Sequence, residues 1–208
     1  MATKGQVADV LRPPLDEAQV RALRVGDTVT LEGTLFGIRD ATLIHLIDRG
    51  RTTRLDLCGG AVIHTAPSVA RVPPSPSAPV GYRPVSVGTT TSARMERFTE
   101  PLMRRFGVRL IVGKGGLGAD SRRAFAALGG AYLAVVGGAA ALETTWVEAI
   151  EAVDLDDLHP ESLWRFRVHG FGPLLVTIDS HGGDLHREVE DAAQARRADV
   201  LAGLGVTP

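Results

Sequence analysis

The stretch VRLIVGKGGLGADSRRAFAALGGAYLAVV, residues 108–136, decides the fold class. Val108 to Val112 is a short apolar run of the kind buried on both faces of a sheet, and Gly113 to Gly118 is a glycine loop. Ser121 to Leu128 then carries apolar residues at helical spacing, and Ala131 to Val136 is a second buried run. Strand, loop, helix and strand in that order form a βαβ unit, which predicts an α/β domain with parallel strands.

Working outward toward the N-terminus, Asp27 to Asp40 opens on a Gly-Asp turn. It places Val29, Leu31 and Leu35 on one alternating face, the pattern of a strand. Asp40 is positioned to cap a helix through Ala41, Leu43, Ile44, Leu46 and Ile47 that stops at Gly50. Ala61 to His64 reads as a short buried strand. Residues 1–24 form a lead-in with a short amphipathic helix from Leu15 to Leu23. Pro67, Pro73, Pro74, Pro76, Pro79 and Pro84 predict a long extended connection or surface loop over residues 66–84.

Between the connection and the βαβ unit, Gly88 to Ser92 leads into a helix marked by Met95, Phe98, Leu102 and Phe106. Beyond the unit, residues 137–158 show no single period. Trp164, Phe166 and Val168 alternate as one strand, Leu174 to Ile178 forms another, and the two predict a hairpin near the C-terminus. The expected organisation is a single compact domain over 25–185, with 186–208 a C-terminal helix or tail.

Composition narrows the function. With 23 Lys and Arg against 24 Asp and Glu, the net charge of -1 provides no global field for nucleic acid or anionic lipid. The N-terminus lacks an apolar core of signal-peptide length and no run is long enough to span a membrane, so a cytoplasmic protein is expected. Cys58 is the single cysteine, so this chain alone builds neither an intrachain disulfide nor a cluster on three or four thiolates. It reads as a small buried hydrophobe with no base nearby in sequence. His45, His64, His159, His169, His181 and His186 show no metal-ligand spacing, so they read as packing or surface residues and no metal site is expected.

Three patches carry candidate chemistry. In the first, Gly88-Thr89-Thr90-Thr91-Ser92-Ala93-Arg94 stands before a helix, where free amides, hydroxyls and a guanidinium cradle a carboxylate or phosphate. N-capping by Thr91 or Ser92 explains one hydroxyl; four in a row with Arg94 exceed what a cap needs.

The second patch, Gly113 to Gly118, satisfies G-x-G-x-x-G after a strand and before a helix, which raises a dinucleotide site. The acidic ribose anchor expected at the end of the next strand is replaced by Gly137-Gly138, and Lys114 is followed by glycine, unlike a nucleotide P-loop. Lys114 therefore reads as a point charge on an accommodating backbone, with a glycine-rich turn bearing a solvated lysine as the plain alternative. The third patch, Arg39-Asp40 at a strand-to-helix corner, reads by itself as a cap and a local ion pair.

Taken together and in order, GDTVTLEGTLFGIRDA (26–41), RLDLCGGAVIHTAP (54–67), VGTTTSARME (87–96), IVGKGGL (111–117), GAYLAVVGGAAAL (130–142) and VHGFGPLLVTIDSHGGDL (168–185) resemble one family. It is the C-terminal domain or beta subunit of class I fumarases and L(+)-tartrate dehydratases. The resemblance implies a swivelling β/β/α domain that meets a larger alpha subunit carrying a [4Fe-4S] cluster, in a hetero-oligomer such as α2β2. No cofactor is then bound by this chain alone. It implies that Arg39, Arg94 and Lys114 hold a small hydroxy-dicarboxylate with Gly88 and Thr91, and that Thr90 takes part in proton transfer, activated by its charged surroundings or by a carboxylate of the partner. The sequence departs from the family pattern at Thr89, Ala93 and Leu43, where proline, glycine and histidine are common. An NAD(P)-dependent oxidoreductase fragment and a noncatalytic carboxylate-binding module are the alternatives.

Overall fold

The computed structural model describes residues 9–205. Its frame is a mixed seven-stranded sheet in the order β1-β2-β3-β6-β7-β9-β8. The strands are β1 (Asp9–Leu11), β2 (Thr28–Ile38), β3 (Ala61–His64), β6 (Leu110–Gly113), β7 (Ala131–Ala134), β8 (Val147–Asp154) and β9 (Leu163–Ile178). Strands β1, β2, β3, β6 and β7 run parallel, as the βαβ reading requires. Strand β9 runs antiparallel to β7 and β8 and pairs with β2 as well, which closes the sheet on itself and removes two open edges.

The closure explains the strand sequences. Ala61 and Ile63, Leu110 and Val112, and Ala131 and Leu133 point into one core with Leu31, Leu35, Trp164, Phe166 and Phe171. Val62, Ile111 and Tyr132, the alternate residues, join a second core with Leu43, Leu46, Met95, Phe98, Leu102 and Phe125 from the helices. Both faces are covered, so the short strands are apolar throughout rather than alternating. Side chains such as Phe125 and Phe166, fully buried, each contribute on the order of 2–3 kcal/mol by removal from water.

The helices are α1 (Glu17–Arg21), α2 (Asp40–Leu43), α3 (Thr99–Phe106), α4 (Ala119–Leu128), α5 (Ala140–Thr145) and α6 (Leu185–Gly203). Helix α1 starts with a capping box between Asp16 and Gln19. Helix α2 runs on as a π-helical turn over Ile44–Asp48, and a 3-10 turn over Ser92–Phe98 leads into α3. Gly107 and Gly129 end α3 and α4 in the left-handed conformation.

Two expectations change. The presumed C-terminal hairpin is one continuous 16-residue strand, β9, whose antiparallel partner across the connection 155–162 is β8. Gly170, Gly172 and Pro173 look like breakers, but they fall near register shifts against β2, where the strand leaves β8 and takes up β7. The Pro-rich connection contains a two-stranded sheet of β4 (Ser68–Arg71) and β5 (Tyr82–Ser86), pinned to the core where Tyr82 meets Trp164 edge-on at 5.6 Å. Residues 137–158, without a clear period, hold α5 and β8. The C-terminal segment is helical, α6, with no buried residue along its length.

Candidate functional site

The parallel strands β2, β3 and β6 end side by side, with Ile38 opposite His64 and Ile63 opposite Val112. Their carboxyl ends therefore deliver Arg39, His64 and Lys114 to one edge of the sheet, the place where open α/β sheets bind ligands. The loop Val87–Ser92 is laid across this edge. The Thr90 amide donates to the His64 carbonyl (2.8 Å), the Thr65 hydroxyl to the Gly88 carbonyl (2.8 Å), and the Ser92 amide to the Lys114 carbonyl (2.9 Å). Thr91 bridges to Lys114. The three patches, far apart in sequence, thus meet.

Asp40 joins the arginines. Its Oδ2 accepts from Arg94 Nη2 at 3.1 Å and from Arg39 Nε at 3.3 Å. The same Arg94 nitrogen donates to the Thr90 hydroxyl at 3.1 Å. The expectation that Asp40 caps α2 is corrected: Arg39 holds the cap position with no side-chain bond, and Glu161 does the work. Glu161 Oε2 accepts from the Ala41 amide at 2.7 Å, while its Oε1 stands 3.4 Å from Arg39 Nε. With the helix start satisfied from elsewhere, the Asp40 carboxylate is free for the guanidinium groups.

Nor do the hydroxyls cap the next helix. Thr91 occupies the cap position of the 3-10 turn without a side-chain bond and is exposed, Thr89 faces the His64 carbonyl, and Ser92 is fully buried. Gly88 is needed for close approach, since a Cβ there would lie 2.7 Å from that of Ala140 at the start of α5.

Helix α5 supplies a residue the sequence reading missed. Glu143 is 1 % exposed, and neither carboxylate oxygen has a well-formed hydrogen bond. Burial raises its carboxyl above the usual range, while the Thr89 amide and the Lys114 charge pull the other way and lose. Nothing in its local sequence marks it out, because its setting comes from packing against a loop more than fifty positions away.

His64 ends β3 at the same edge. Its ring is buried, with Nδ1 2.9 Å from Ser92 Oγ, and Tyr132 donates to the same oxygen at 2.9 Å. Burial lowers His64 to about 4 against the opposing pull of Asp40, and burial raises Tyr132 to about 12. Both side chains are therefore neutral near pH 7.

The glycine loop does not keep a phosphate-ready helix start. The amides of Gly118 and Ser121 at the head of α4 donate to Glu96 at 2.6 and 2.9 Å, and the Ser121 hydroxyl adds a third bond at 2.7 Å. A carboxylate of this chain already fills the position a pyrophosphate would take. Cys58, expected in the interior, is exposed at the opposite ends of the strands, before β3 begins. Among the described residues, no three His, Cys, Asp or Glu side chains converge to hold a metal ion.

Residues 3–189 match the family described as the fumarase C-terminus. The chain belongs to that family. Among fumarase C-terminal relatives, the L(+)-tartrate dehydratase subunit beta of Escherichia coli K12 is 37% identical over 193 residues, covering 92% of this chain and 93% of the relative. A Methanocaldococcus jannaschii protein bearing the name of the same subunit is 36% identical over 180 residues, 84% of this chain and 89% of its own. A Geobacillus stearothermophilus protein bearing the name class I fumarate hydratase is 36% identical over 184 residues, 88% of this chain but 34% of its own. The chain thus spans about a third of that longer relative and nearly the whole of the beta subunits.

Proposed function

We propose that this chain is the beta subunit of a hydro-lyase that adds or removes water on a small hydroxy-dicarboxylate, fumarate/L-malate or L-tartrate/oxaloacetate, in the cytoplasm. The observation that carries the reading is the convergence of Arg39, Arg94 and Lys114 with Thr90 and Thr91 at one sheet edge. Guanidinium forks suit carboxylates bidentately, and Lys114 adds a point charge just before Gly115 and Gly116, whose positive φ turns the chain there. Removing a proton beside a carboxylate builds negative charge, which fixed cations stabilise most when water is excluded. Gly88 and Thr91 line the same substrate edge.

In this reading Thr90 moves the proton. Its hydroxyl oxygen accepts from Arg94, so its hydrogen is available to a base and the adjacent cation favours the oxyanion form. A carboxylate of the alpha subunit is the base assigned to it. The side chains described here do not make a holder for a [4Fe-4S] cluster, since Cys58 stands alone and away from the site. The cluster belongs to the alpha subunit in this reading. The swivelling of the domain against that subunit, in an assembly such as α2β2, closes the site over the substrate.

The test is anaerobic water elimination from L-malate and from L-tartrate by the chain co-purified with its cluster-bearing partner. Activity that needs both chains, and falls to background in Arg94→Ala and Lys114→Ala complexes that still assemble, supports the reading. No activity from a complex with an intact cluster overturns it in favour of a carboxylate-binding module, and tight binding of a nicotinamide nucleotide by the isolated chain overturns it in favour of an oxidoreductase.

A further inference from the structure

Glu161 makes more contacts than the cap of a short helix needs. It lies in the connection between β8 and β9, and its backbone is tied to the core. Its amide donates to the Leu158 carbonyl at 2.8 Å, its carbonyl accepts from the Thr42 hydroxyl, and the preceding carbonyl, that of Pro160, accepts from the Trp164 indole at 3.0 Å. Thr42 and Trp164 are both fully buried. The carboxylate is divided between two tasks. Oε2 takes the Ala41 amide at 2.7 Å, and Oε1 stands 3.4 Å from Arg39 Nε with no other partner among the described contacts.

Arg39 is engaged at one nitrogen only. Asp40 Oδ2 lies 3.3 Å from the same Nε, and among the described hydrogen bonds and ion pairs neither Nη1 nor Nη2 of Arg39 has a partner. A guanidinium is planar and offers a carboxylate two kinds of fork, one along Nε and an Nη nitrogen and one across the two Nη nitrogens. With Nε taken, the fork across Nη1 and Nη2 remains. The Arg39 side chain is 30 % exposed, which leaves it reachable at the sheet edge. The two carboxylates at Nε are not equivalent. Asp40 Oδ2 is shared with Arg94, whereas Glu161 Oε1 serves Arg39 alone and stands on a backbone fixed by buried side chains.

We propose that Glu161 is a positioning residue for the substrate grip: anchored by the core and by the head of α2, it holds Arg39 at Nε and so turns the Nη1 and Nη2 fork toward a carboxylate of the substrate. The kinetic part of this inference rests on the proposed hydro-lyase reading; the anchoring of Arg39 does not. Glu161→Gln separates the role from capping. The amide oxygen of glutamine still accepts from the Ala41 amide, while its nitrogen, a donor, replaces the oxygen that faces Arg39.

The experiment is arginine side-chain NMR of the full chain at pH 7, reading the exchange of each Nε hydrogen with water, with the Arg39 signal identified by its loss in Arg39→Lys. The expected result is slowed exchange at Arg39 in the wild type and in Asp40→Ala. In Glu161→Gln the slowing is lost, with the melting temperature within about 4 °C of wild type. Slowing that survives Glu161→Gln, or that disappears in Asp40→Ala, overturns the anchor. A Glu161→Gln chain that melts lower than this, or does not fold, makes Glu161 a structural residue instead. In the active complex, Glu161→Gln raises KM roughly tenfold and changes kcat by no more than about twofold, since the grip is on a carboxylate in substrate and transition state alike. A KM at or below the wild-type value would show that Glu161 only offsets the positive charge of the site, and the positioning role falls. An inactive wild-type complex sinks the reaction proposed above and leaves the NMR result to decide on Arg39.

Discussion

The Oδ2 atom of Asp40 lies 3.1 Å from Nη2 of Arg94, joining the strand-to-helix corner after β2 to the hydroxyl-rich loop 54 positions later. Arg94 is half exposed, so this ion pair adds little to stability, about 1 kcal/mol at most. Its value is orientation. Asp40→Asn is expected to reduce kcat/KM of the assembled enzyme by about a hundredfold, with the melting temperature of the chain moving by no more than about 4 °C. Steady-state kinetics beside a thermal melt check both parts, and a large fall in melting temperature would make Asp40 a structural residue instead.

Glu143 yields a prediction of opposite character. Because burial holds its carboxyl above the ordinary range, it favours the folded state relative to the charged form only while protonated. The stability it allows is present below the ordinary carboxylate range and is lost as pH rises through its folded value. Glu143→Gln removes that loss, so the variant is expected to melt at the wild-type temperature near pH 4 and above it at pH 8. Equal melting temperatures at both values would mean that Glu143 has a compensating partner.

His64 sets an acid limit. Its folded value of about 4 is below the ordinary 6.5, so the unfolded chain binds the extra proton first. Stability from this ring is complete above about pH 6.5 and is lost as pH falls toward 4, by on the order of 3 kcal/mol. Urea unfolding of wild type and His64→Gln across that window should show the slope in the first and its reduction in the second.

Gly113→Ala tests how closely β6 approaches the buried Ser92 hydroxyl. The added methyl collides with Ser92 Oγ, and overpacking of this kind costs about 1–3 kcal/mol. Urea unfolding should register the loss. Ser92→Ala in the same background relieves the clash and is expected to recover part of it.

Much of the frame was legible because the signals were local. The apolar runs at 61–64, 110–113 and 131–134 and the helix between the last two appear as expected, since each is set by burial on both faces and by nearby glycines. Strand β9 was misread as two because Gly170, Gly172 and Pro173 break the local pattern, while continuity came from partners β2, β7 and β8 elsewhere in the chain. The same limit hid β4 and β5, whose prolines suit an edge pair as well as a loop.

For the site, the sequence by itself determined which residue types were at hand: the hydroxyl run with Arg94, Lys114 among glycines, and Arg39-Asp40, in the order that marks the family. Only the tertiary structure decided what each does. It moved the cap of α2 to Glu161 and released Asp40 for two guanidinium groups, filled the head of α4 with Glu96, and buried His64 and Glu143 beneath the loop. The physical reason is that a hydrogen bond or a desolvated charge depends on what lies within a few ångströms, and here those neighbours come from strand ends that meet only when the sheet forms.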